Sequence, residues 1–168
     1  MNNSKRILGV DVGGVILDFA PYIDTDLAFA GENYLKTPSI EDAIDSLKTL
    51  NKSMFAGNIF LVSKHGGDGP ERILEWLDGQ DFFKKTEIPK SNFHPCGKRN
   101  EKADIVKNLG ITHFVDDRAE VLSYMIGVVP NLYLFQSLDE NREDHTEIDG
   151  DLVFVENWKE LMSILLNV

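Results

Sequence analysis

Arg6-Ile7-Leu8-Gly9-Val10-Asp11-Val12-Gly13-Gly14-Val15-Ile16-Leu17-Asp18 is the stretch that decides how the chain is read. Ile7, Leu8 and Val10 form a short apolar run of the kind that makes a buried strand. The run ends on a carboxylate, Asp11. Gly13 and Gly14 follow, and glycine lets a backbone turn sharply or approach a ligand closely. In open α/β sheets, ligands bind beyond the carboxyl ends of the strands. An acid at such an end is a candidate for chemistry. Taken alone, the stretch fits equally well with an ordinary strand followed by an Asp-x-Gly-Gly turn.

Similar strands recur further along. Asn58-Ile59-Phe60-Leu61-Val62-Ser63 is an apolar run ending on a hydroxyl, followed by the glycine-rich loop Lys64-His65-Gly66-Gly67-Asp68-Gly69. His113-Phe114-Val115 runs straight into two acids, Asp116 and Asp117. Phe93–Cys96, Asn131–Phe135 and Leu152–Val155 supply further short strands, the first of them weakened by Pro95. Helical spacing of apolar residues lies between the strands. Ala43, Ile44, Leu47 and Leu50 mark a helix over about 39–51, with Ser39 as its N-cap and Asp42 in the acidic position of a capping box. Ile73, Leu74 and Leu77 mark a second helix, starting near Pro70. Asp81-Phe82-Phe83 adds a short helical turn. Ala103, Ile105, Val106 and Leu109 mark a helix that Gly110 stops. Val121, Leu122, Met125 and Ile126 mark another, and Trp158 to Leu166 the last. Strands alternating with helices predict an α/β fold: a three-layer, Rossmann-like parallel sheet with helices on both faces. Phe19 to Thr37 lacks clear periodicity and reads as a flap and loop. Ser137 to Asp151 reads as a solvated acidic loop.

The whole chain sets bounds. Its 168 residues suit a single domain over 1–168 with a proper core. A net charge of −11 disfavours a general nucleic-acid-binding surface and an anionic membrane surface. It permits an anionic substrate, because a bound divalent cation reverses the local field. The single cysteine, Cys96, has no intrachain disulfide partner, so a reducing, cytoplasmic setting is expected. No signal peptide or membrane-length apolar segment is visible.

Three strands thus end in polar groups: Asp11, Ser63 and the Asp116/Asp117 pair. In a parallel sheet these ends share one edge, so they converge if their strands are neighbours. Lys98-Arg99-Asn100-Glu101-Lys102, at a helix start, adds cations. Such a set suits phosphoryl transfer, with Asp11 as nucleophile and Mg²⁺ held by oxygen ligands. Ser63 would donate to a phosphoryl oxygen, and Lys102 would neutralise charge.

From Ile7 to about Phe135 this pattern resembles the haloacid dehalogenase (HAD) superfamily. Asp11 matches the nucleophile of that family's motif I, and Ser63 the Ser/Thr of motif II. Lys102, in preference to Lys98, matches the lysine of motif III. Val115-Asp116-Asp117 matches the acid pair of motif IV. The resemblance implies Asp11, Ser63 and Lys102 as catalytic residues, and Mg²⁺ held by Asp11, the carbonyl of Gly13 and the acid pair, Asp117 rather than Asp116. It places Gly13, Gly14, Ser63 and Lys64 around the substrate. Two other families share part of this pattern. Sugar kinases share the Asp-x-Gly-Gly turn, but need a second similar domain and leave Asp116-Asp117 unexplained. Two-component receivers carry their acid pair near the N-terminus.

One departure matters. HAD phosphatases usually carry a general acid two residues after the nucleophile, where this chain has Gly13. The segment at about 18–38 is also too short for a full cap domain, which implies an open site. The expected function is therefore an Mg²⁺-dependent phosphohydrolase acting through an aspartyl-phosphate on a phosphorylated small molecule or macromolecule. The alternative is a catalytically weak or inactive binding or regulatory protein of the same fold. His65, in a glycine loop beside Ser63, is read as an exposed residue, with protonation of a leaving group as the alternative. His113 is read as structural, and His94 with Cys96 as a poor metal site that lacks further soft ligands.

Overall fold

The computed structural model describes residues 5–19, 31–135 and 152–167. Six parallel strands form one sheet: β1 (Leu8–Val10), β2 (Ile59–Lys64), β3 (Phe93–Cys96), β4 (His113–Asp116), β5 (Asn131–Phe135) and β6 (Leu152–Val155). Their spatial order is β3-β2-β1-β4-β5-β6. The order reverses direction between β1 and β4, the switch point where open α/β sheets bind ligands. Leu8 pairs with Ile59 on one side and His113 on the other, so β1 lies between β2 and β4. Pro95 is accommodated because β3 is an edge strand, where a missing N–H breaks no ladder.

Helices cover both faces. On one face lie α1 (Ala43–Leu50), α2 (Gly69–Gly79), α3 (Phe82–Thr86) and α6 (Trp158–Leu166). Their Leu47, Trp76, Phe82 and Leu161 pack with Val10, Leu61, Val115 and Tyr133 of the sheet. On the other face lie α4 (Glu101–Leu109) and α5 (Ala119–Ser123), whose Val106 and Leu122 pack with Val62, Phe114 and Leu132. Phe114 and Val115 feed opposite cores, as the two-residue period of a strand requires. The three-layer expectation holds.

Two helices differ from the sequence reading. α1 starts at Ala43 after Asp42, which adopts a left-handed conformation (φ 63°) and makes no side-chain cap. Ser39 does not cap it. The Ser39 backbone forms an antiparallel bridge with Leu17, and the Ile40 N–H donates to Ile16 O at 2.7 Å. The segment therefore continues the turn after β1 before the helix begins. α1 also runs on as a π-helical turn, Asn51–Phe55. α5 ends at Ser123, and the chain then closes in tight turns from Leu122 to Met125 and from Met125 to Val128. α6 begins with an unanticipated side-chain cap, in which Asn157 Oδ1 accepts from the Glu160 N–H, while Glu160 Oε2 accepts from the N–H of Glu156, the residue before the cap.

The described part of the flap is anchored to α2, the helix after β2. A 3₁₀ turn, Tyr34–Lys36, places the Tyr34 ring 5.0 Å from the Arg72 guanidinium, and the Tyr34 hydroxyl bonds Glu75. The Trp76 indole N–H donates to Thr37 O at 2.8 Å. The flap's centre and the acidic loop at 137–151 lie outside the described residues. Among the described residues, no helix is long and apolar enough to cross a membrane.

Candidate functional site

Because β2, β1 and β4 are neighbours, their polar ends meet. Asp11 keeps the sheet's register one residue past β1, its N–H donating to Val115 O at 3.0 Å. From below, the Trp158 indole N–H donates to Val15 O at 2.8 Å, pinning the turn that follows. Asp11 Oδ1 faces three donors: the Val12 N–H at 2.8 Å, Lys102 Nζ at 3.0 Å and Ser63 Oγ at 3.4 Å. Among the described residues nothing bonds Oδ2.

Lys102 comes from the first turn of α4. Glu101 Oε2 accepts the N–H groups of Gly97 and Lys98, both at 2.9 Å, and so shapes the loop that leads into the helix. The Lys102 side chain is buried and bridges two acids, lying 3.0 Å from Asp11 and 2.8 Å from Asp116. Burial by itself pulls the ammonium pKa down. The charges of Asp11 and Asp116 outweigh it, and Lys102 is held firmly protonated. Lys98, the alternative lysine, is exposed and does not enter the cluster.

The two acids after β4 have different surroundings. Asp116 is fully buried and both its oxygens are bonded, Oδ2 by Lys102 and Oδ1 by the Arg118 N–H at 2.9 Å. Burial, reinforced by Asp11, pushes its carboxyl up to about 6. Asp117 has no such support. Its Oδ1 is sealed from solvent and has no hydrogen-bond partner among the described residues. Burial first, then the charges of Asp11 and Asp116, raise its pKa well above the ordinary carboxylate value. Gly14 makes room for it. The residue has φ 78°, and a Cβ there would overlap Asp117 Oδ2.

Asp11, Asp116 and Asp117 can each point one oxygen to within 4.8 Å of the others. The donors are all hard oxygens, and a single ammonium faces three carboxylates. One buried oxygen is orphaned. Such a donor set fits a hard divalent cation.

Gly13 is not in the left-handed region, and its backbone bridges Leu17. A Cβ there would lie 2.6 Å from Phe19 Cε2. An aromatic edge thus occupies the space beside Asp11 that a side chain at position 13 would need. Nothing in the sequence pattern pointed to Phe19, because the turn that returns it to Gly13 has no periodicity.

His65 departs from its reading as an exposed loop residue. It is half-buried, and its Nε2 lies 2.8 Å from Ser63 Oγ. Strand alternation was the available signal, since residues two apart in a strand share a side. Lys64, between them, is exposed and bonds nothing among the described residues. The other singled-out residues are structural. His94 packs against Phe60 with ring centroids 5.7 Å apart, and the Cys96 thiol donates to Ser63 O at 3.6 Å. Burial pushes that thiol's pKa up. His113 sits at the opposite end of β4, stacked on Tyr133 and bonded to Thr112 Oγ1 at 2.8 Å.

No protein family description matches the sequence, and no curated protein matches it. Solved structures do. A HAD family hydrolase from Deinococcus radiodurans, with bound phosphate and sodium, superposes with a TM-score of 0.59 at 12% identity, over 96% of this chain and 95% of that one. A dehalogenase gives 0.58 at 14% identity, over 98% of both chains. The cobalt-bound deoxy-D-mannose-octulosonate 8-phosphate phosphatase of Haemophilus influenzae gives 0.54 at 16%, over 96% of this chain and 87% of that one. These likenesses establish the fold as HAD-like.

Proposed function

We propose that the protein is a phosphohydrolase acting through Asp11. The carrying observation is the division of labour between the two oxygens of that carboxylate. Three donors converge on Oδ1, which leaves Oδ2 available to attack. In the first step Oδ2 forms a bond to phosphorus, the ester P–O bond breaks, and the departing oxygen takes a proton from solvent water. In the second step water attacks phosphorus, the bond from Asp11 Oδ2 to phosphorus breaks, the water's proton passes to solvent, and phosphate is released with the carboxylate restored. Ser63 donates its hydroxyl to a phosphoryl oxygen. Lys102 holds Asp11 in place and offsets developing charge.

Asp11, Asp117 and the Gly13 carbonyl would hold Mg²⁺, with Asp116 turned toward Lys102 instead. The bound ion supplies positive charge that offsets the clustered carboxylates and the phosphate dianion. The substrate is a phosphomonoester on a small molecule or a macromolecule. The lone cysteine fits action in the cytoplasm.

A second reading is favoured by the Phe19 edge at Gly13. With no acid beside the nucleophile, leaving groups that require a proton depart slowly, and the protein would act as a phosphoryl-binding regulator. One experiment separates the readings. Activated aryl and alkyl phosphates are offered with and without Mg²⁺, and beryllium fluoride is used as a phosphoryl mimic in thermal melts. Metal-dependent aryl phosphate hydrolysis, lost in Asp11→Asn, is expected. Metal-dependent stabilisation without hydrolysis would favour the second reading, and neither effect would refute both.

A further inference from the structure

Ser63 Oγ carries one proton and has two neighbours, Asp11 Oδ1 at 3.4 Å and His65 Nε2 at 2.8 Å. An ionised carboxylate only accepts, whereas a neutral imidazole nitrogen either donates or accepts. If Ser63 donated into a bare Nε2, its lone pairs would face the Asp11 oxygen. If Nε2 carries the proton, His65 donates to Ser63 and Ser63 donates onward. Of the two, only the second gives Ser63 Oγ a complementary contact with both Asp11 Oδ1 and His65 Nε2, and only it aims the hydroxyl at Asp11.

The local packing fixes the histidine for this task. The His65 N–H donates to Cys96 O at 2.9 Å, tying the residue to the end of β3. Gly69 lets the following helix close over it, since a Cβ at Gly69 would lie 2.6 Å from His65 Cβ. The Cys96 thiol, in turn, donates to the Ser63 carbonyl. Ser63 and His65 are therefore held as a pair at the end of β2.

We propose that His65 is a positioning residue, which donates from Nε2 to Ser63 Oγ and so directs the serine proton toward Asp11 and the phosphoryl oxygen that meets it. Aligned donors polarise one another, so Ser63 becomes a better donor than an isolated hydroxyl. The catalytic consequence rests on the phosphohydrolase reading, whereas the direction of the hydrogen bond does not.

Two measurements test this. The first is a two-bond ¹⁵N–¹H spectrum of histidine-labelled protein at a pH where the ring is neutral, with His65 assigned by its loss in His65→Gln. A proton-bearing Nε2 and a bare Nδ1 are expected. A bare Nε2 would overturn the proposal even if the protein hydrolyses nothing. The second is a mutant cycle on aryl phosphate turnover with Mg²⁺. Deleting a preorganised donor costs about 10²–10³-fold in kcat, and an indirect loss should be smaller, about tenfold for His65→Leu. KM should stay nearly unchanged, and His65→Gln, which keeps an N–H donor at the same reach, should recover most of the rate. In a Ser63→Ala background His65→Leu should cost less than about twofold, because residues acting through one another are not additive. A full loss in that background, or a Gln variant as poor as Leu, would overturn the proposal. Thermal melts of each variant establish that the fold is intact.

Discussion

Neutralising Asp117 should stabilise the metal-free protein while removing its response to metal. At 4.8 Å and an effective dielectric near 20, each carboxylate pair repels by about 3–4 kcal/mol. Asp117 faces two such charges, and the nearby cations Arg118 and Lys102, the latter already bonded to both of the other acids, together offset about one of them. Its orphaned Oδ1 adds a desolvation cost. The remaining repulsion is about 3 kcal/mol before relaxation. Proton uptake sets a ceiling, because holding a carboxyl neutral at pH 7 against an ordinary value of 3.8 costs about 4 kcal/mol. Asp117→Asn should therefore gain about 1–3 kcal/mol in urea unfolding at pH 7 with chelator present. The folded-state pKa of Asp117 lies above its unfolded value, so ionisation opposes folding as pH rises. The advantage of the variant should then be absent near pH 4 and open as the pH climbs. With saturating Mg²⁺ the order should reverse, since ligand binding stabilises only the protein that binds. A destabilised apo variant, or an equal Mg²⁺ shift in both proteins, would refute the reasoning.

Lys102→Met should cost about 3–5 kcal/mol in metal-free urea unfolding, because it leaves two buried carboxylates without their cation; a loss below about 1 kcal/mol would mean that the bridge contributes little. Gly13→Asp should lose about 1–3 kcal/mol through overpacking against Phe19, while Gly13→Asp/Phe19→Ala restores the space. In that double variant the ratio of alkyl to aryl phosphate turnover should rise by about 10²-fold, the usual worth of a general acid, and an unchanged ratio would show that no acid is missing. His113, whose pKa burial and then Arg6 lower to about 4, favours folding fully above its unfolded value of 6.5, and this stabilisation is lost as pH falls toward 4. Unfolding free energies from urea titrations between pH 7 and 4.5 should therefore drop less steeply in His113→Phe than in wild type, by up to about 3 kcal/mol.

The sheet was legible because its strands are brief apolar runs, and those of β1, β2 and β4 each give way to a polar residue, Asp11, Ser63 and Asp116, at or beside the strand's carboxyl end. Those ends located Asp11, Ser63 and the acid pair before any geometry was known. The preference for Lys102 over Lys98 came from the resemblance, and the structure buries the former and exposes the latter. The failures share a cause. Ser39 has the chemistry of a cap, but the Leu17–Ser39 bridge claims its backbone, a long-range pairing invisible to a local rule. Phe19 returns to Gly13 through the same irregular turn. The bond between His65 and Ser63 depends on the chain holding strand alternation one residue past β2, which a glycine-rich loop conceals.

The charge balance of the site would also couple the binding of phosphate to that of a metal. Lys102 bridges Asp11 and Asp116, so its charge is committed within the protein. A phosphate group would add negative charge to a cluster that already has more carboxylates than cations. A divalent ion lying between Asp11 and Asp117 would turn that repulsion into attraction for the phosphoryl oxygens. Phosphate and metal should therefore bind with strong positive coupling, and linkage requires the effect to be reciprocal: each must tighten the other by the same factor. Asp117, orphaned at Oδ1 and given room by Gly14, is the residue through which that coupling would act. An instability of the metal-free protein would then be the physical counterpart of metal affinity, because the same unbalanced charge that opposes folding without an ion would attract one.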